Sequence, residues 1–158
     1  MTYTKCQALA VARAIKAGSR VPGRIYIFGS SAHGGGKDID VIVEVPAPLF
    51  SRYQEACDFS GVSAIVRGVF DRQDLFWAYF SPVEKRSEAA LDVIGVRHEW
   101  ILGTDGMSIP CRDLDVICLP TGWNTSPLLE QLQAEMSANW KCDPKFMRNL
   151  SQSAILVE

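Results

Sequence analysis

Two apolar, β-rich runs joined by a polar, glycine-laden connection constrain this chain most. Arg24 to Phe28 reads as a short strand of β-branched and aromatic residues, and it runs into Gly29-Ser30-Ser31-Ala32-His33-Gly34-Gly35-Gly36-Lys37. A second strand follows at once in Asp38-Ile39-Asp40-Val41-Ile42-Val43-Glu44-Val45. Side chains alternate across a strand, so Ile39, Val41, Val43 and Val45 share one face, while Asp38, Asp40, Ile42 and Glu44 share the other. One face is expected to be core, and the other begins with two carboxylates.

The rest of the chain must supply a fold around this pair. At 158 residues it is expected to form one domain, residues 1–158, because single cores usually serve about 100–200 residues. With 47% hydrophobic and 22% charged residues it belongs to none of the disordered, collagen-like or disulfide-scaffold classes. A formal charge of −2 supplies no overall attraction to nucleic acid or to an anionic membrane. Cys6, Cys57, Cys111, Cys118 and Cys142 are odd in number and contain no C-x-x-C pair, so free thiols are expected and neither a zinc ribbon nor a redox motif. Arg13 and Lys16 interrupt the sole candidate export signal, and no run of about 18 apolar residues occurs elsewhere, so the expected location is cytoplasmic, with no membrane partner.

Thr4-Lys5-Cys6-Gln7 has capping-box spacing and predicts a helix with Leu9, Ala12 and Ile15 inward and Gly18 at its end. Leu49 to Phe80 suggests helix, short apolar element, helix. Ser81-Pro82-Val83-Glu84 has the serine cap, first-turn proline and early acid of a helix start, with the end near Gly95. Val96 to Leu102 and Arg112 to Leu119 predict the two strands of an antiparallel hairpin around Gly103-Thr104-Asp105-Gly106. Pro127 to Lys141 predicts the final helix, with a tail or edge segment after it.

Chemistry concentrates at Asp38 and Asp40. Two carboxylates on one strand face repel unless a cation lies between them, and Mg²⁺ is a hard ion commonly shared by one or two carboxylates and substrate phosphates. A helix beginning at Gly29-Ser30 would offer free amides to a phosphate. Gly34-Gly35-Gly36-Lys37 is not a phosphate-cradling loop of the P-loop kind: Ser31 stands where its first glycine belongs, and Asp38 where a hydroxyl would hold Mg²⁺. The dinucleotide fingerprint fails at Ile39. Lys37 is a candidate phosphate contact. Trp77, Trp100, Trp123, Trp140, Phe76 and Tyr79 could stack on bases, with Trp123 leading, although aromatic residues in a domain of this size more commonly fill the core.

The run Ile25-Tyr26-Ile27-Phe28-Gly29-Ser30, a spacer, then Asp38-Ile39-Asp40-Val41 resembles the nucleotidyltransferase superfamily of DNA polymerase β, most nearly its small minimal and antibiotic-type members. The likeness spans about twenty residues, with a shorter spacer and with His33 where the family has arginine. The resemblance implies an α/β (α+β) fold with a mixed sheet and helices packed on one face. It implies Mg²⁺ or Mn²⁺ as cofactor, an NTP as substrate, and a third acid on a neighbouring strand. Asp115, directly ahead of Val116 to Leu119, is favoured for that role; Asp113 is held in reserve, and Asp71 and Asp92 fit less well. Asp38, Asp40 and Asp115 would then be the metal-binding and catalytic residues, with Gly29, Ser30 and Lys37 binding substrate. The implied reaction moves an NMP from the NTP to an acceptor hydroxyl on a small molecule, an RNA end or a protein, releasing pyrophosphate. In a chain this short the acceptor would lie against the Leu49 to Phe80 stretch, the C-terminal helix or a second subunit. A non-catalytic nucleotide-binding or antitoxin-like interaction module of the same fold stays open beside it.

Overall fold

The computed structural model describes residues 2–18, 23–46, 66–69, 76–80, 100–110 and 113–158. The helix expected over Ser81 to Gly95, the acids Asp71 and Asp92, Cys57 and Cys111, and most of Leu49 to Phe80 lie outside them.

Helix α1 (Lys5–Gly18) starts as its sequence predicts: the Thr4 amide donates to Gln7 Oε1 at 2.8 Å and the Gln7 amide to Thr4 Oγ1 at 3.3 Å. Its inward line is Ala8, Val11, Ala12 and Ile15, all fully buried, with Leu9 at the margin. Strand β1 (Ile25–Phe28) leads into the one-turn helix α2 (Gly29–Ala32), and β2 (Ile39–Val45) returns antiparallel to β1, with Ile27 opposite Val41 and Phe28 opposite Asp40.

Strands β3 (Val66–Val69) and β4 (Phe76–Phe80) form an antiparallel pair. The second helix expected before Phe80 is therefore a strand over its last residues, in keeping with the high β-propensity of Phe76-Trp77-Ala78-Tyr79-Phe80. Strands β5 (Trp100–Leu102) and β6 (Ser108–Pro110) make a small separate hairpin. This corrects the expected pairing across Gly103 to Gly106: the partner of Trp100–Leu102 is Ser108–Pro110, and the strong strand β7 (Leu114–Pro120) goes elsewhere.

That strand lies in the middle of the six-stranded sheet β3-β4-β7-β2-β1-β8, parallel to β2 and antiparallel to β4, where β8 is Ile155–Leu156. Helix α3 (Leu128–Trp140) matches the predicted last helix, but α4 (Phe146–Ser153) follows it, and β8 then closes one sheet edge against β1. Among the described residues no helix is long and apolar enough to cross a membrane.

The sheet is mixed, and helices cover both of its faces, not one. Ile25, Ile27, Ile39, Val41, Val43, Leu114, Val116 and Cys118 pack with α1 on one side. On the other side Tyr26, Ile42, Ile117 and Leu119 pack with Trp123, with Leu132 and Met136 of α3, and with Met147 and Leu150 of α4. Strands covered on both faces read as near-continuous apolar runs, which describes both Ile39–Val45 and Leu114–Pro120. The face carrying Asp38 and Asp40 thus becomes a second core two residues further on. Trp123 is fully buried and meets Tyr26 edge-on at 5.3 Å, so the leading stacking candidate is a core residue. The side chains of Phe76, Trp77, Tyr79, Trp100 and Trp140 lie outside those described. Cys6 and Cys142 are free thiols, and Cys118 is fully buried in β7.

Candidate metal centre

The sheet register builds the site. In the parallel β2 and β7 pair Ile39 lies beside Leu114 and Asp40 beside Asp115, so the two aspartates occupy neighbouring strands on the same face, about 4.8 Å apart in backbone. Asp38 comes in from the residue just before β2. Donor oxygens of Asp38, Asp40 and Asp115 all lie within 4.8 Å of one another. Oxygens bound to one Mg²⁺ at about 2.1 Å sit about 3 Å apart when adjacent and about 4.2 Å apart when opposite, so a small contraction would satisfy the ion. The donor set is purely carboxylate, the chemistry that hard divalent cations select.

Electrostatics favours the same occupant. Asp40 is pushed up to about 7 from 3.8, first by burial and then by the charges of Asp38 and Asp115. The metal-free site therefore holds a proton near neutrality that a divalent cation would displace.

Asp115 is 6% exposed, and Asp38 and Asp40 are half-buried. Asp113, the reserve candidate, is not among the clustered acids. It precedes β7 and accepts a hydrogen bond from the hydroxyl of Tyr3. Glu44 lies on the Asp40 face but four residues along β2, about 13 Å away. Burial raises its pKa, while Arg24, Trp123 and Tyr26 pull it back down.

The glycine-rich connection folds against these acids. Gly29 has φ +72°, and a Cβ placed there would lie 2.1 Å from Asp40 Oδ2, so both conformation and space exclude a side chain. Ser30 is exposed beside it in α2. The Ser30 carbonyl accepts from the amides of His33 and Gly35, both at 3.2 Å, which turns the spacer back over the Gly-Ser step. A Cβ on Gly36 would lie 2.5 Å from Ser30 Oγ. Lys37 is exposed on the loop next to Asp38.

Three contacts escaped the sequence reading. His33 is exposed and its Nε2–H donates to the Ser153 carbonyl at 3.1 Å, tying the loop to the last residue of α4. Because a carbonyl can only accept, the bond requires the proton on Nε2. Tyr3 forms a two-way backbone bridge with Gly36, and its hydroxyl reaches Asp113. No local pattern signals contacts this distant in sequence. No family model, curated protein or solved structure matches the chain.

Proposed function

We propose that this chain is a divalent-cation-dependent nucleotidyltransferase of the polymerase-β type, moving an NMP from an NTP to an acceptor hydroxyl. The observation that carries the reading is the in-register pairing of Asp40 with Asp115, which brings a third carboxylate to the Asp38 and Asp40 pair behind a Gly-Ser turn. The non-catalytic module would be favoured by a third acid turned away from the pair, and Asp115 faces it.

Asp38, Asp40 and Asp115 would hold Mg²⁺ or Mn²⁺. Bound there, the cation supplies charge neutralisation for the phosphates and lowers the pKa of the acceptor hydroxyl. Gly29 and Ser30 would position the β- and γ-phosphates through backbone amides and the exposed hydroxyl, and Lys37 would add a mobile positive charge. The acceptor oxygen forms a bond to the α-phosphorus as the bond from that phosphorus to the bridging oxygen breaks, and pyrophosphate leaves with the electron pair. The acceptor's proton passes to a carboxylate of the cluster, with Asp115 assigned because it is buried while Asp38 and Asp40 are half-buried. Catalysis in such reactions comes mainly from positioning and electrostatic stabilisation.

The test incubates the protein with each α-labelled NTP, Mg²⁺ and a cell extract, and identifies by mass the molecule that gains a nucleotide. Transfer by the native chain and none by Asp40→Ala is the expected result. Unchanged transfer by Asp40→Ala would refute the role given to Asp40.

A further inference from the structure

We propose that Tyr3 is a positioning residue of the metal centre, setting the backbone that carries Asp38 and the backbone that carries Asp115 relative to each other. This rests on the metal-binding reading of the acidic cluster.

Asp40 is flanked by a strand on each side, with Phe28 of β1 opposite it on one side and Asp115 of β7 on the other. Asp38 precedes β2, and Asp115 is paired with β2 alone among the described residues, since the described pairing of β7 with β4 begins at Val116. Each therefore depends on what fixes the chain just ahead of it, and in both cases that is Tyr3. Its amide donates to the Gly36 carbonyl at 2.6 Å and its carbonyl accepts from the Gly36 amide at 3.1 Å, two residues before Asp38. Its hydroxyl donates to Asp113 Oδ2, two residues before Asp115.

The ring between these anchors is 2% exposed and packs in the core cluster that includes Val11, Ile39 and Leu114. One buried residue thus spans the two ligand-bearing segments, by its backbone at Gly36 and by its hydroxyl at Asp113. It also engages a further carboxylate, Asp113, in a contact outside the cluster. Gly36 lies directly against Ser30, so the same bridge fixes the floor of the Gly-Ser turn. Three clustered acids repel without a cation, and a strut is needed where the ladder ends.

The test measures Mn²⁺ affinity from the free-ion paramagnetic resonance signal, alongside thermal unfolding in EDTA. Tyr3→Phe keeps the ring and every charge, and is expected to unfold near the native temperature while binding Mn²⁺ about tenfold more weakly. Asp113→Ala is expected to weaken binding too, and Tyr3→Phe added to it should change affinity by less than about twofold, since the shared contact is already gone. Native affinity in Tyr3→Phe, or an equal Tyr3→Phe loss with and without Asp113, overturns the positioning role while leaving the metal site standing. A native chain that binds no Mn²⁺ overturns the metal reading and this inference with it.

Discussion

Replacing Asp40 by asparagine should make the metal-free protein more stable while removing its response to divalent cations. A carboxyl raised from 3.8 to about 7 means that the folded chain binds more protons than the unfolded one between those values, so stability falls as pH rises through that window. Ionising Asp40 in the fold then costs on the order of 4 kcal/mol above pH 7. Asparagine keeps the size and removes the charge but still buries an amide, so the expected net gain is about 1–3 kcal/mol. For a chain of this length that is a rise in Tm of roughly 3–10 °C. Thermal unfolding in EDTA at pH 8 should show it. At pH 4, where the folded Asp40 is protonated and the unfolded carboxyl is only a little more than half ionised, most of the difference should vanish. Added Mn²⁺ should raise the Tm of the native chain and leave that of Asp40→Asn unchanged. An Asp40→Asn protein less stable than native at pH 8, or a gain of equal size at pH 4, would refute the claim that desolvation and the neighbouring acids burden Asp40.

Gly29→Ala forces a left-handed conformation on a residue with a side chain and drives its Cβ into Asp40, so a loss of at least about 2 kcal/mol is expected in urea unfolding, with Mn²⁺ binding abolished. Trp123→Ala empties the core between β7 and α3 and should cost about 3–5 kcal/mol, leaving any residual nucleotide transfer to track the folded fraction. His33→Ala removes one exposed hydrogen bond to Ser153 and should cost less than about 1.5 kcal/mol with transfer retained. Abolished transfer in a folded His33→Ala protein would give the imidazole a catalytic part.

What could be read locally in the sequence was the half of the site built from contiguous residues. The strand Arg24 to Phe28, the Gly-Ser turn and the Asp-x-Asp strand each carry their own period and turn chemistry, and the structure places them together. Asp115 could be nominated because it precedes an apolar run, but its pairing with Asp40 is a parallel register between distant segments, which no local period encodes.

The hairpin partner of Trp100–Leu102 was missed because Ser108-Ile109-Pro110 is too short to show alternation, while Leu114–Pro120 shows a stronger strand pattern and belongs to the main sheet. The tail or edge segment expected after Lys141 holds helix α4 instead: Asp143 forms a turn, accepting from the Lys145 amide at 2.6 Å, and the eight-residue helix then starts at Phe146. The helices on both faces follow from the same cause. Ile42 and Glu44 are followed by no local sign that α3 and α4 return to cover them.

The most direct test of the central claim is calorimetric titration of the native chain with Mn²⁺ at pH 7 in buffers of different ionisation enthalpy, repeated on Asp115→Asn. With Asp40 at about 7 in the metal-free site, binding should release about half a proton per ion, and Asp115→Asn should bind at least about tenfold more weakly. Binding without proton release, or native affinity in Asp115→Asn, would contradict a cation centre built from Asp38, Asp40 and Asp115.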